Sequence, residues 1–452
     1  MSEPSSMVAP AAPAQALSWR QVLRVVRENP LQLWTEAAYE QEYEVQGFLG
    51  RKRFLLNAPD AIQQVLVREA GHFRRTAASI RLLRPFVGQG LLLSEGALWR
   101  RERRLIAPTL APRALPPLMA EAARAIGAAE TRLAAAAGGE VDLLAAMQDL
   151  SLEIAGRTMF SVATDAFAGE MRRLFIEASE RLSRPDLLDL VLPIGVPSPR
   201  DLARFWFRRR WVRLIGRIIA AREQSAIKAG AGTDLYDLLR AALSAEGKAG
   251  ARLLRDEVAT MLIAGHETTA LTLFWSALLL AAHPEVQARI AAEASPLDLG
   301  PEGAAASLEQ LPYTRAVVSE ALRLYPPAAA IVRQAITEQQ VGDLVIPRGA
   351  LVFVSPWVLH RHRRLWAAPT RFDPERFLPG APPIGRFAYL PFGTGPRVCV
   401  GAQFALAEAT LVLASLFRRF EVARTDSAPV VPVSLVTTQP NRAPPFRLRL
   451  RR

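Results

Sequence analysis

Cys399 is the only cysteine in a chain of 452 residues. It stands in the stretch Phe392–Gly401, F-G-T-G-P-R-V-C-V-G, just ahead of a helix-compatible run rich in Ala and Leu, Gln403–Phe417. A thiol before a helix N-terminus sits near the positive end of the dipole, which favours the thiolate. Gly393, Gly395 and Gly401 let backbone approach something flat and bulky. Arg397 can offer a charged fork to an acidic group on the same object. A thiolate in a glycine loop with a cation beside it suits a metal cofactor that carries carboxylates. A lone cysteine is more often a small buried hydrophobe; the ten-residue pattern is what argues for ligation here.

Three further constellations stand upstream. The longest helix-compatible run, Arg252–Ala282, contains A-G-H-E-T-T at residues 264–269. Ala264 and Thr268 are one turn apart and share a face. Gly265 costs about 1 kcal/mol against alanine in mid-helix, which hints at a widened groove or a close ligand. Next, Trp99 and Arg103 share a face of the basic run Trp99–Leu110; alone, this reads as a solvated basic helix. Lastly, Glu320 and Arg323 lie three apart before Pro326–Pro327, and F-D-P-E-R-F at 372–377 supplies Arg376. Buried charges survive only when paired and hydrogen-bonded, so this last set reads as holding the fold.

Taken in order, these motifs resemble those of the cytochrome P-450 family. The cysteine loop matches F-x-x-G-x-R-x-C-x-G at Phe392, Gly395, Arg397, Cys399 and Gly401. The resemblance implies Cys399 as axial ligand of haem b, and contacts to that cofactor from Ala264, Gly265 and the loop. It implies Trp99, Arg103, Arg333 and Arg397 as propionate-binding residues. Glu267 and Thr268 match the acid–alcohol pair of the oxygen-binding A-G-x-[DE]-T, with His266 at its variable position. Glu320, Arg323 and Arg376 match a buried Glu-Arg-Arg network. One departure stands out: the position before Arg103 is often His in the family and is Glu102 here.

The elements that must position these residues are mostly helical. Helices are expected over 28–40, from Asn57 as N-cap, and over 99–110, 114–137, 141–160, 201–228, 252–282 and 311–325, with Thr233 or Asp234 capping a short one. Thr76–Leu93 reads as an irregular loop over a pocket. Strands are expected as a pair within Tyr43–Leu56, over Ile331–Ile336, Gln340–Ile346 and Leu351–Val354, and as a hairpin over Val430–Leu450 turning near Pro440–Asn441. The fold expected is mainly α with a small β region, the single-domain cytochrome P-450 fold. Its domain would run over 21–452 behind a disordered Pro-, Ala- and Ser-rich tail, 1–20.

Apolar residues make up 50% of the chain, ample for a large core, and no run is long and uncharged enough to span a bilayer. The net charge of +13 comes mostly from scattered arginines without a nucleic-acid motif, which argues for an acidic protein partner. A single cysteine excludes internal disulfides and fits a reducing cytoplasm. The expectation is therefore a soluble, cytoplasmic, monomeric monooxygenase without a transmembrane anchor. It would use dioxygen and two electrons that come from NAD(P)H through a separate ferredoxin and ferredoxin reductase. The substrate would be apolar: a fatty acid, terpenoid, steroid or aromatic. The pocket would draw on Ser79–Val87, Leu182–Val191, Val258–Ala264, Ala328–Ile331 and Leu435–Thr438, and Arg81 or Arg84 would hold a carboxylate if the substrate has one. The rivals are a peroxide-driven haem-thiolate enzyme and a sensor without turnover. Retention of Glu267 and Thr268 argues against the sensor, which needs no proton relay. Helix 201–228, rich in Arg and Trp, is a second-rank candidate for a membrane-surface contact.

Overall fold

A computed structural model describes residues 9–48, 50–182, 184–229 and 234–451. In chain order the helices are α1 (Trp19–Glu28), α2 (Pro59–Gln63), α3 (Ala77–Val87), α4 (Gly96–Ile106), α5 (Leu115–Ala135), α6 (Leu143–Phe160), α7 (Asp165–Arg181) and α8 (Leu187–Val191). They continue with α9 (Asp201–Ala229), α10 (Leu235–Leu243), α11 (Gly247–Ala281), α12 (Pro284–Ala294), α13 (Ala304–Ser307), α14 (Pro312–Leu324), α15 (Pro356–Leu359) and α16 (Ala402–Arg419). The strands are short: β1 (Tyr43–Phe48), β2 (Arg51–Leu56), β3 (Phe73–Arg74), β4 (Glu140–Val141), β5 (Ile331–Ala335), β6 (Gln339–Val341), β7 (Leu344–Ile346), β8 (Leu351–Val354), β9 (Phe420–Arg424), β10 (Pro432–Ser434), β11 (Thr438–Pro440) and β12 (Phe446–Leu450).

Helix α11 runs 35 residues through the middle of the molecule. From Thr269 to Leu280 every residue is buried, and α5, α6, α14 and α16 share its core. A helix buried all round needs no polar face, which is why its sequence shows little amphipathic period. A second, smaller core lies on the five-stranded sheet β1-β2-β8-β5-β3, where Phe54, Leu56, Val352 and Val354 pack with Ile62 and Leu390. Among the described residues only β2 and β8 pair parallel.

Several expected elements differ from the structure. Residues 28–40 hold two short 3-10 turns, because Pro30 forbids a helical Asn29 and the Asn29 side chain caps the first turn. The helix in this region is α1, which begins inside the segment expected as tail. The carbonyls of Ala11 and Pro13 bond Gln32 and Glu36, while residues 1–8 lie outside the described residues. Asn57 does not cap α2; its amide bonds the carbonyls of Ala38 and Gln41. Thr76–Leu93 is not a loop: Thr76 accepts the Ser79 amide at 3.1 Å and starts α3, with Pro85 tolerated in the last turns. The C-terminal hairpin turns at Leu435–Thr437, and β12 instead pairs with β9 and β4. Asp234 caps α10 with a reciprocal Asp237 bond; Thr233 lies outside the described residues.

Candidate active site

The cysteine loop folds back before α16. The Cys399 amide donates to Phe392 O at 3.0 Å, and the following Gly401 is the N-cap. Gly395 has φ +71°, and a Cβ there would lie 2.1 Å from the Leu66 carbonyl oxygen, so the loop closes only with glycine. Cys399 has open surface, yet protein encloses it closely enough for burial to push its thiol up. The open surface therefore faces an internal space. The Gly401 amide and Arg103 pull the thiol back down, but burial outweighs them. The place of Cys399 before α16 favours the thiolate, and its burial opposes that.

Four arginines crowd beside this loop. Arg103 donates to Val398 O at 2.8 Å. The Arg397 guanidinium lies 4.3 Å from the Trp99 ring centroid, and that of Arg103 lies 5.9 Å from it. Arg333, on β5, and Arg397 are both pushed down to about 10, first by burial and then by the like charge of Arg75. Glu95 is the carboxylate bonded to Arg397 and Arg75. Arg397 Nη1 is buried without a partner. Arg75 is the member that sequence alone does not reveal: it follows strand β3, far from every motif, and nothing in its spacing marks it.

On the opposite side stands α11. Thr268 Oγ1 donates to Ala264 O at 2.7 Å, which sets the pair on one face. Ala264 is exposed in the middle of a buried helix, so that face too opens inward. Glu267 is 5% exposed; Gln439 donates to its Oε1 at 3.0 Å, and Oε2 has no partner. Burial pushes Glu267 up to about 7. Gly265 does not face this space: a Cβ there would meet Met159 Cε at 3.3 Å and Ala155 at 3.5 Å, so its smallness serves the packing of α11 on α6. His266 is buried against Phe175, pushed down to about 4, and no cluster of metal-ligating side chains occurs among the described residues.

Hydrogen bonds tie two of the expected pocket segments, Ser79–Val87 and Leu435–Thr438, to α11. Thr438 bonds the carbonyls of Pro326 and Pro327, and Gln439 reaches Glu267. Thr260 bonds Val87 O at the end of α3. Arg81 is buried and donates to the carbonyls of Leu192, Pro193 and Val196 at 3.0, 2.6 and 2.6 Å. It is thereby spent on holding that loop and cannot anchor a substrate carboxylate; Arg84 is exposed. The Glu320–Arg323 pair, wholly buried, is bidentate at 2.6 and 2.7 Å. The remaining N–H groups of Arg323 reach the carbonyls of His360, Pro369 and Arg371, so all five are used. Arg376 lies 3.6 Å from Glu320, an ion pair without a hydrogen bond.

The family model described as cytochrome P450 matches residues 23–443. The chain belongs to the cytochrome P450 family. It is 32% identical over 423 residues to cyclooctat-9-en-7-ol 5-monooxygenase of Streptomyces melanosporofaciens, covering 89% of this chain and 86% of that one. It is 30% identical to pentalenene oxygenase of Streptomyces avermitilis, covering 87% and 86%. The crystal structure of the cytochrome P450DA heme domain shares the fold at a TM-score of 0.79 and 23% identity, with 98% of both chains covered. A cytochrome P450 monooxygenase uses haem and dioxygen, and the residues of this P450 fit that cofactor. The thiol opens inward, and in the cluster of half-buried arginines beside it Arg397 Nη1 has no hydrogen-bond partner. The propionates of haem b would find their counter-charges in Arg75, Arg103, Arg333 and Arg397. No single helix among the described residues is long and apolar enough to cross a membrane. On α9, Phe207 and Trp211 point into the core, while Phe205 and Trp206 are 57% and 53% exposed.

Proposed function

We propose that this P450 hydroxylates or epoxidises an apolar, terpenoid-like substrate, with electrons from NAD(P)H delivered through a ferredoxin reductase and a small acidic ferredoxin. When bound, haem b supplies dioxygen activation, with the Cys399 thiolate pushing electron density toward O–O cleavage. Trp99, Arg103, Arg333 and Arg397 would hold its propionates, and Arg75 adds a fifth group to that set. Thr268 holds a hydroxyl on the inward face of α11. Glu267, poised near neutral pH, can hold a proton on Oε2 and give it up again, which suits a relay. One oxygen atom enters a C–H or C=C bond of the substrate and the other leaves as water, consuming two electrons and two protons.

The observation that carries the substrate class is the engagement of Arg81. With that guanidinium spent on loop carbonyls, Arg81 supplies no cation for a substrate carboxylate, and Ala264, Ala328, Ile331 and Val436 of the expected pocket segments are all aliphatic. The substrates for which the two Streptomyces relatives are named support the terpenoid reading. A peroxide-driven enzyme would need a group to place a substrate carboxylate, and Glu267 with Thr268 is the wrong pair for that. The test is a spectral binding screen over terpenoid alcohols, fatty acids, steroids and aromatics, followed by labelled-dioxygen incorporation. A spin-state shift with terpenoids and one labelled oxygen in the product are expected. A shift confined to fatty acids would overturn the substrate class, and product without label would overturn the reaction.

A further inference from the structure

Glu102 and Glu257 form a buried pair of carboxyl groups with no part in the cofactor site or the proton relay. Glu102 lies on α4, next to Arg103; Glu257 lies on α11, about two turns before Ala264. They are 2% and 0% exposed. Ser94 Oγ donates to Glu102 Oε2, and the Leu91 amide donates to both oxygens of Glu257 at 3.0 and 3.2 Å. Among the described residues no N–H or O–H reaches Glu102 Oε1, and the Glu257 carboxyl is its neighbour in the same buried space. Two acceptors can bond only through a proton that one of them keeps.

The charges facing the pair do not neutralise it. Arg101, on α4, is tied to Glu246 and to Ala242 O. Arg397, on the cysteine loop, is tied to Glu95. Asp256, beside Glu257, adds a like charge and is itself held by Arg208 of α9. Burial, then repulsion from Glu102, pushes Glu257 up to about 9; burial also raises Glu102. Two buried carboxylates side by side would be costly, so one proton stays at neutral pH.

We propose that Glu102 and Glu257 share one proton and act as a clasp that seats α4 on α11, so that the grip of Trp99 and Arg103 on the cofactor loosens when that proton is lost. The pair is a positioning device: neither carboxyl is placed against substrate or the reacting atoms. Where the family often carries His before Arg103, an imidazole N–H would meet the acid without a borrowed proton. Glu102 makes the contact depend on pH instead. The cofactor arm rests on the haem-binding reading; the infrared arm needs no cofactor, so the two fail separately.

Glu257→Gln keeps the shape and donates an amide N–H to Glu102. The infrared difference between wild type and Glu257→Gln at neutral pH should contain the carbonyl stretch of a neutral carboxyl, which fades as pH rises through about 9. Transfer of haem to an excess of apoglobin should accelerate severalfold over the same rise in wild type, and much less in Glu257→Gln. Glu102→His should likewise remove the alkaline acceleration. Absence of the neutral-carboxyl band would overturn the shared proton. Identical pH profiles of haem transfer in wild type and both variants would overturn the clasp.

Discussion

Thr268 makes the same bond to the carbonyl four residues back as Thr272 and Ser276 do on the same helix. Such back-bonding is ordinary for hydroxyls in helices. What sets Thr268 apart is its surroundings: Thr272 and Ser276 are 6% and 0% exposed, while Thr268 is half-buried next to the exposed Ala264. Thr268→Ala should leave haem content and substrate-induced spin shift intact, yet lower the ratio of product to NAD(P)H consumed while released peroxide rises. Thr272→Ala is the control and should leave that ratio unchanged. Glu267 yields a prediction in pH. Its raised value means that it is neutral below about 7 and ionised above, so proton delivery weakens as pH climbs through that point. Glu267→Gln should slow turnover on the order of a hundredfold, the lower end for a positioned proton-transfer group. It should also flatten the pH profile around neutrality, with KM little changed; a profile that keeps its inflection would assign the proton to another group.

At the scale of elements, the Glu320–Arg323 pair ties α14 to the chain around residues 360–373. Leaving one buried charge without its partner costs about 3–5 kcal/mol. Arg323→Ala should therefore lower the thermal midpoint strongly and reduce haem content in purified protein, as read by calorimetry and by the haem-to-protein absorbance ratio. This network is legible in the sequence because its members carry their own signals: an i, i+3 pair, two prolines and a short fixed motif. Helix α11 is legible as a long apolar run without proline. Helix α3 is not. It is basic, contains Pro85, and is held by bonds from Arg81 to residues 192–196, contacts that no local pattern announces. The break at Asn29 is similar, since its side chain also bonds Pro432 O and the Ser434 amide, some 400 residues away. The true neighbours of Gly265, Met159 and Ala155, are equally hidden, because a helical period fixes a face but not what packs against it.

The whole molecule carries a net charge of +13. Besides Arg103, α4 carries three arginines; Arg100 and Arg104 are exposed, whereas Arg101 is engaged with Glu246. Surface charge acts mainly on association rate, and salt screens it over about 8 Å at physiological strength. Reduction by an acidic ferredoxin should slow as salt rises; Arg100→Glu and Arg104→Glu should slow it further at low salt, with Arg101→Glu destabilising instead. Rates indifferent to salt and to these changes would rule out the acidic donor. The motifs alone single out the ligand and the acid–alcohol pair. The cation cluster, with Arg75 in it, exists only in the folded chain, because β3, β5, α4 and the cysteine loop meet only there. Ligation of haem iron by Cys399 as a thiolate would have to overcome the upward push of its burial. The carbon monoxide difference spectrum of the reduced protein tests it most directly. Wild type should give the red-shifted band peculiar to thiolate-ligated haem, and Cys399→His should lack it. Absence of that band in wild type, or its survival in Cys399→His, would contradict the assignment.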